Sequence, residues 1–184
     1  MKKSIFMLLA FIMVLSLKAQ EQEKTRKEKR EEHKQQQIEQ QEAIRTMQEQ
    51  WVENKTFVLE ANQVFSKRGD LFQLTPSTNF VYVSGEQAIL QLSFNGVIGW
   101  NGVGGITIKG KITKYQYNSD NKNKPISIRM TIQGAEGFQD VTMWISGNGN
   151  GEAQITDIRG NRIRFTGDVV SLKDSRVFIG NSRF

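Results

Sequence analysis

From Lys55 onward, apolar and polar side chains alternate along the chain with a period of two residues. In the segment PISIRMTIQG (125–134), apolar residues occupy every second position: Ile126, Ile128, Met130 and Ile132. The same alternation recurs in QAILQLSF (87–94), GITIKGKIT (105–113) and NRIRFTGDVV (161–170). A period of two is typical of β-strands that bury one face and expose the other. The pattern therefore predicts an all-β fold for most of the chain.

Short turn sequences divide this region into nine or ten candidate strands with no helix between them. The clearest turns are SGE (84–86), NSDNKNKP (118–125) and GNGNG (147–151), which are rich in residues that turns favour. GITIKGKIT and Lys114–Asn118 count here as separate strands. Strands joined by hairpins form an antiparallel up-and-down sheet, and a long sheet must protect its edges. Closure into a β-barrel of about 8–10 strands protects them, and a two-sheet β-sandwich is the alternative.

Glycines crowd the stretch FNGVIGWNGVGGITIKG (94–110). A phosphate-binding loop needs a strand, then glycines, then the N-terminus of a helix, whereas these glycines lead into another alternating segment. The structural alternative fits better, because glycine inside strands marks bulges and barrel corners. Gly110 and Gly167 interrupt apolar faces in this way, so we expect them to serve the curvature of the sheet.

The first 20 residues, MKKSIFMLLAFIMVLSLKAQ, have the order of a secretory signal peptide, with a plausible cleavage position after Ala19. As a helix, the apolar run from Ile5 to Leu17 extends roughly 20 Å, which is short of the ~30 Å core of a bilayer. The sequence predicts an exported protein, periplasmic or secreted, with no membrane span after cleavage; an uncleaved anchor is the alternative. The predicted division is signal peptide 1–19, charged helical arm 20–53 and barrel domain 54–184.

The charged arm contains no Gly or Pro and consists mostly of Glu, Gln, Lys and Arg, which are strong helix formers. Apolar residues gather only near its end, where Ile44, Met47 and Trp51 follow a helical spacing. We expect this stripe to dock on the barrel and close one end of it. A coiled coil that also uses Ile38 is the alternative, although sustained heptads are missing.

Composition excludes several kinds of active site. The chain has no cysteine and a single histidine, His33, in the arm, so disulfides, thiolate chemistry and a two-histidine metal site are impossible. The carboxylates are scattered and do not single out a catalytic pair, which makes a hydrolase the least favoured hypothesis. The net charge of +6 includes three leader lysines and falls to +3 without them, too little to indicate nucleic-acid binding. We expect a protein that is not an enzyme and uses no cofactor or metal.

Three aromatic residues are candidates for ligand binding: Phe94, Trp100 and Trp144. Trp100 lies in the glycine-rich stretch, where it would cover a pocket mouth and stack on a ligand, or else fold back as a lid on the core. We therefore expect a non-enzymatic binding module for a small apolar or glycan-like ligand. The alternative is a protein partner bound through the helical arm or through a basic face. That face would be formed by outward-pointing residues: Lys109, Lys111, Arg159, Arg162 and Arg164.

Several motifs of the β region resemble one known family. They are FVLEAN (57–62), VSG (83–85), LQLSFNG (90–96), GGITIKGKITKY (104–115) and IRFTGDV (163–169). Together with the leader and the charged arm, they are similar to the domain of unknown function 4251 family over most of residues 20–170. The resemblance implies a small exported bacterial protein with a lipocalin-like β-barrel and no assigned activity. It carries over no catalytic residue, because these motifs are glycine and core positions.

Overall fold

The computed structural model describes the backbone of residues 2–65, 69–93 and 105–180, and the side chains in those ranges from residue 26 onward. One α-helix, α1, spans Lys2–Glu53, and a 3-10 helix spans Pro76–Thr78. The strands are β1 (Thr56–Phe65), β2 (Leu71–Gln73), β3 (Phe80–Ser84), β4 (Gln87–Leu92), β5 (Ile106–Asn118), β6 (Ile126–Gly134), β7 (Gly137–Ile145), β8 (Asn150–Asp157) and β9 (Arg162–Ser171). The chain divides into two compact units, Met1–Glu42 and Ala43–Phe184.

The helical part of the first unit belongs entirely to α1. All side chains described between residues 26 and 42 are exposed, and Gln35 Nε2 donates to Glu39 Oε1 one turn further on, at 3.0 Å. The predicted charged helix is therefore confirmed in this region. Among the residues that the structure describes, no helix is apolar over a stretch long enough to cross a bilayer.

The strands form one antiparallel sheet that closes on itself. They pair in the order β1, β3, β4, β5, β6, β7, β8, β9, and β9 pairs back with β1. The closing pair begins with Phe57 opposite Ser171 and ends with Phe65 opposite Arg164. The short β2 pairs with the last three residues of β1. The fold is therefore a closed eight-stranded up-and-down β-barrel with one extra strand, which confirms the barrel and excludes the sandwich.

Alternate residues of the barrel strands point inward and form a single core. In β6, the four apolar residues that alternate in the sequence are all buried in this core, whereas Arg129 between them is exposed. Phe57, Phe165, Leu59 and Met143 are among the largest fully buried side chains of the core. Burying a side chain of this size stabilises the fold by about 1.5–3 kcal/mol relative to exposure.

β5 is one strand of 13 residues where the sequence predicted two. Its register with β6 passes from Ile112 opposite Ile132 to Lys114 opposite Thr131, so Thr113 is the extra residue of a β-bulge. A bulge inserts one residue and shifts the alternation by one position. The break in the sequence pattern at Thr113 therefore marks a change of phase inside one strand, and the prediction of two separate strands was wrong.

Gly110 and Gly167 lie where neighbouring strands approach too closely for a side chain. A Cβ atom on Gly110 would lie 2.5 Å from the carbonyl oxygen of Gln133 on β6. A Cβ atom on Gly167 would overlap the carbonyl oxygen of Glu60 and lie 2.8 Å from the Cα of Ala61, both on β1. Because these obstacles are backbone atoms, no rotamer change relieves them. The two glycines permit close strand packing, whereas their predicted role in the curvature of the sheet stays a prediction.

The last turns of α1 close one end of the barrel. Val52 is fully buried in the barrel core, and Trp51 packs against that core. The carbonyl oxygen of Val52 accepts a 2.7 Å hydrogen bond from the Tyr115 hydroxyl on β5. Burial raises the pKa of Tyr115, which keeps this hydroxyl protonated and able to donate. The prediction that the helix plugs one end is confirmed.

Of the predicted apolar stripe of α1, Trp51 packs against the core, but Ile44 and Met47 do not dock in the same way. Ile44 and Met47 remain 36% and 45% exposed, whereas Arg45 and Gln48 are buried. These two side chains donate to backbone carbonyls at the barrel end: Arg45 to Ser119 and Lys124, and Gln48 to Ser146. Because carbonyls at strand ends leave the sheet ladder, polar donors satisfy them where apolar side chains cannot. The prediction that Ile44 and Met47 dock was therefore wrong.

The chain after β9 lies against the outer face of the barrel. Hydrogen bonds attach it to two strands: Ser175 Oγ and Arg176 N donate to Glu60 Oε1 on β1, Gln91 Nε2 on β4 donates to the Phe178 carbonyl, and Gly180 N donates to Gln91 Oε1. Phe80 on β3 lies opposite both Glu60 and Gln91 in the register and is 1% exposed. The segment Ser175–Gly180, called the C-terminal strap below, therefore crosses β3 between its two attachment strands.

Candidate functional site

A pocket of about 420 Å³ opens at the end of the barrel opposite Val52. Its residues come from the ends of strands that α1 does not cover: the end of β4, the start of β5, the β6–β7 turn and the β8–β9 turn. We call this pocket the barrel mouth. One end of the barrel is thus closed by a helix and the other holds a cavity.

The walls of the barrel mouth are largely apolar. Seven of the side chains that line it are aliphatic or aromatic: Leu90, Leu92, Ile106, Ile108, Ile155, Ile163 and Phe165. Leu90, Ile155 and Phe165 also belong to the buried core, so the core itself forms the floor of the pocket. Ile106 is 47% exposed and lies at the outer edge. Apolar walls of this kind favour a ligand with substantial apolar surface.

Two buried polar side chains line the same pocket, Gln91 and Gln139. The amide of Gln91 is hydrogen-bonded to other residues. Gln139 occupies an inward position of β7, in phase with Val141 and Met143, and is 4% exposed. The Gln139 side-chain amide makes no hydrogen bond with any other residue that the structure describes. An amide carries two donors and two acceptor positions, and those of Gln139 remain accessible from the pocket, because the fully buried side-chain atom without a partner in the described chain is Gln48 Oε1. Gln139 is therefore the polar group in the barrel mouth that is best placed to bind a ligand.

Asp157 also lines the barrel mouth, but its carboxylate is engaged by its own turn. It accepts hydrogen bonds from the backbone N–H groups of Arg159 and Asn161 and from the side-chain amide of Asn161. The Asn161 side chain is the main cause that lowers the pKa of Asp157, and the backbone bonds and the Arg159 charge act in the same direction. Asp157 thus shapes the β8–β9 turn at the rim of the pocket.

Two further charged residues lie at the rim. Glu136 belongs to the β6–β7 turn, and Arg162 is the first residue of β9. Neither forms an ion pair within the described part of the chain. With Asp157, the pocket is lined by two acidic side chains and one basic side chain. This slight acidic excess is too small to select a cationic ligand by charge alone.

The three predicted ligand-binding residues have different positions. Phe94 and Trp100 lie outside the described residues. They belong to the segment between Leu92 and Ile106, which both line the barrel mouth. Trp144 lies on β7 and points out of the barrel, 36% exposed, while its neighbour Met143 is fully buried in the core. Trp144 is not among the residues that line the mouth and instead lines a second pocket on the outer face.

The predicted basic face is not a continuous surface. Lys109 and Lys111 are exposed on β5, and Arg162 and Arg164 are exposed on β9. Four steps of strand pairing separate β5 from β9 in either direction around the barrel, so these two pairs lie on opposite sides. Within the described ranges, no group of three or more His, Cys, Asp or Glu side chains is arranged to hold a metal ion.

Sequence reasoning missed Gln139, although the sequence contains a signal for it. In the segment FQDVTMWIS (138–146), Gln139 has the same parity as Val141, Met143 and Ile145, which all face the core. A polar residue at an inward position is unusual and marks either a satisfied network or a binding group. The prediction from the sequence selected Trp144, an aromatic residue of the same strand, instead of Gln139.

The fold and its sequence match one family. A family model described as Domain of unknown function (DUF4251) matches residues 21–169. The crystal structure of a DUF4251 family protein from Bacteroides eggerthii DSM 20697 is similar, with a TM-score of 0.62 and 27% identity, and the match covers 74% of this chain and 93% of that one. A comparison with curated proteins finds no match. Because the family model covers most of the chain, including α1 from residue 21 and nearly all of the barrel, the protein belongs to the DUF4251 family.

Proposed function

We propose that the protein is a non-enzymatic binding module of the bacterial envelope and that its barrel mouth holds a small, mostly apolar ligand. The observation that carries this proposal is a largely apolar pocket of about 420 Å³, lined by Gln139, whose amide has no hydrogen-bond partner among the described residues and is accessible from the pocket. The basic and apolar leader of residues 1–19 supports export.

The size of the pocket supports a small ligand. Pockets that bind small molecules usually measure about 300–1,000 Å³, so the barrel mouth lies at the lower end of that range. One or two fused or linked rings, or a short alkyl chain, would fill it. The barrel interior beyond the pocket is occupied by core side chains such as Val141 and Met143, which limits how deep a ligand reaches.

The chemistry of the walls supports an apolar ligand with one hydrogen-bonding group. Leu92, Ile108 and Ile163 offer no hydrogen bonds, so a ligand covered with hydroxyl groups would lose its water there without compensation. Gln139 offers donors and acceptors at a single buried position. A ligand that presents one N–H, O–H or carbonyl group to Gln139 satisfies both requirements.

Asp157 is poorly suited to act as the general acid of a hydrolase. A glycosidase needs one carboxyl group that remains protonated to act as a general acid. The turn that surrounds Asp157 lowers the pKa of this carboxyl group, which favours the ionised form and removes it from the acid role. The alternative of a protein partner bound through the charged arm stays a prediction, which deletion of residues 20–42 followed by partner capture would test.

Two fluorescent probes test the proposal. Pyrene is purely apolar, whereas N-phenyl-1-naphthylamine has similar bulk and one N–H donor. We expect both to bind saturably to the purified protein. We expect Gln139→Leu, which roughly keeps the side-chain volume, to weaken the binding of N-phenyl-1-naphthylamine by about 3- to 10-fold, the value of one hydrogen bond. The same variant should bind pyrene as tightly as the native protein or more tightly.

A variant that fills the pocket locates the binding. We expect Leu92→Trp to abolish binding of both probes, and we expect the control Trp144→Ala, on the outer face, to bind them like the native protein. Circular dichroism confirms that each variant is folded. If neither probe binds, or if folded Leu92→Trp binds both unchanged, the proposal is wrong.

A further inference from the structure

A second pocket of about 460 Å³ lies on the outer face of the barrel and has a different chemistry from the mouth. Trp144 contributes the aromatic side chain of its lining, and most of the other side chains are polar: Gln63, Asn150, Glu152, Thr166 and Asp168. Because the two pockets share no lining residue, they are separate sites.

Strand register brings the residues of this outer-face pocket together. Trp144 on β7 lies opposite Glu152 on β8, Glu152 lies opposite Thr166 on β9, and Thr166 lies opposite Gln63 on β1. These four residues form one row across four strands. Asn150 lies opposite Asp168 in the next row, and successive outward residues on a strand are about 7 Å apart.

The polar side chains of the pocket retain free hydrogen-bonding capacity. The side chain of Asp168 makes no hydrogen bond or ion pair with another described residue. Gln63 Oε1 accepts from Thr166 Oγ1 at 3.2 Å, which leaves both N–H donors of the Gln63 amide available. A carboxylate acceptor and an amide donor are therefore free beside a 36% exposed indole ring.

We propose that this outer-face pocket binds a neutral saccharide, whose ring packs on Trp144 while Asp168 and Gln63 pair with its hydroxyl groups. A sugar ring combines an apolar C–H surface with adjacent hydroxyl groups, and an indole face beside a carboxylate and an amide matches both parts. The outer-face pocket meets these needs with polar walls, whereas the barrel mouth does not.

Charge narrows the class of ligand. The carboxylates of Glu152 and Asp168 repel phosphate and anionic polysaccharides. Glu152 lies 3.8 Å from the guanidinium of Arg164, which partly balances its charge and weakens the attraction for a cation. A neutral ligand is therefore favoured over both an anion and a basic peptide.

The test uses NMR chemical shifts of the tryptophan indole N–H groups in the full chain. The chain has three tryptophans, and the variant Trp144→Phe assigns the resonance of Trp144. Neutral trisaccharides of glucose, N-acetylglucosamine and mannose are each added to about 10 mM, which detects millimolar dissociation constants. We expect at least one of them to shift the Trp144 resonance saturably.

Variants separate the outer-face pocket from other surfaces. We expect Trp144→Ala to lower the affinity for the tightest-binding trisaccharide by about tenfold or more. Asp168→Ala should lower the same affinity by about 3- to 10-fold. Binding to Trp144→Ala is followed through the backbone amides of Glu152 and Thr166. The matched control is Phe138→Ala, an exposed aromatic on the same face of β7, which we expect to bind like the native protein.

The outcome is independent of the barrel mouth. Saccharide binding that survives Leu92→Trp supports a separate outer site whatever the apolar probes do. The saccharide assignment is overturned if no trisaccharide shifts the Trp144 resonance. It is also overturned if a lysine oligopeptide, added in the same way, shifts this resonance and the trisaccharides do not.

Discussion

The side chain of Gln91 and the backbone N–H of Gly180 are joined by a 2.8 Å hydrogen bond across 89 residues of sequence. Gln91 Oε1 also accepts from Thr107 Oγ1, and Gln91 Nε2 donates to the carbonyls of Thr78 and Phe178. All four hydrogen-bonding positions of this amide are therefore used, although Gln91 is 1% exposed. The contrast with Gln139, which is equally buried but has no partner among the described residues, distinguishes a structural amide from one that is available to a ligand.

Replacing Gln91 releases the C-terminal strap. We expect Gln91→Ala to lower the free energy of unfolding by about 1–3 kcal/mol, because it leaves buried backbone groups without partners. We also expect faster hydrogen exchange at the amide of Gly180. Urea denaturation and native-state exchange measure the two effects. The control is Gln87→Ala, an exposed glutamine on the same strand, and equal losses for the two variants would contradict the role assigned to Gln91.

The contact between the last turns of α1 and the barrel end predicts that replacing a polar residue costs more stability than replacing an apolar one. We expect Arg45→Ala to destabilise the protein by about 1.5–3 kcal/mol, because it removes charged hydrogen bonds to two carbonyls at the barrel end. Ile44→Ala should cost less, within about 1 kcal/mol, because Ile44 is 36% exposed. Thermal and urea unfolding compare the two variants. A larger loss for Ile44→Ala would restore the apolar stripe as the docking face.

Burial of Tyr115 predicts a loss of stability in alkali. The pKa of Tyr115 is raised by burial in the folded state, whereas in the unfolded chain it is about 10. The folded state therefore holds this proton more tightly than the unfolded chain. The resulting contribution of Tyr115 to the free energy of unfolding is complete below pH ~10 and is lost as the pH rises further. We expect Tyr115→Phe to show a shallower decline in unfolding free energy above that pH than the native protein.

At neutral pH the same variant tests the hydrogen bond to Val52. Tyr115→Phe should cost about 1–3 kcal/mol, because the Val52 carbonyl loses its donor. Tyr117→Phe, on the same strand and 42% exposed, serves as the control and should change stability little. Urea titrations at several pH values measure both effects, and an unchanged alkaline slope in Tyr115→Phe would show that Tyr115 is not its source.

Close strand packing predicts that Gly167 tolerates no side chain. Gly167→Ala should destabilise the protein by about 1–3 kcal/mol or more, because the new methyl group overlaps the backbone of Glu60. Gly147→Ala is the matched control, since a Cβ at Gly147 meets no atom within 4 Å, and it should stay within about 0.5 kcal/mol of the native protein. Comparable stabilities in urea for the two variants would refute the close approach.

The barrel was predictable because a strand that buries one face has apolar residues at every second position. Ile126 to Ile132 lie on the face that the sequence indicates, and Gly110 and Gly167 lie at close approaches. The bulge at Thr113 was not predictable in the same way, because a change of phase and a turn interrupt alternation alike. The docking of Arg45 and Gln48 was missed because these side chains bind backbone carbonyls, which no side-chain pattern records.

The residues of the two proposed sites were harder to predict than the fold. Trp144 was recognisable as an unusual aromatic. Gln63 and Asp168, which line the same pocket, lie on other strands and are brought near it only by the register. The C-terminal strap was equally difficult to predict, because Gln91 has the sequence position of an ordinary solvent-facing residue of β4. Sequence alternation reports which face a residue occupies and not what covers that face.

The pairing of β1 with β9 affects how the sheet is completed. Phe57 pairs with Ser171, so one edge of β1 stays unpaired as long as β9 has not docked. An open strand edge is a template for pairing with other chains, and contacts between distant residues form slowly. The docking of β9 therefore ends the period in which the incomplete sheet is able to pair with a neighbouring polypeptide.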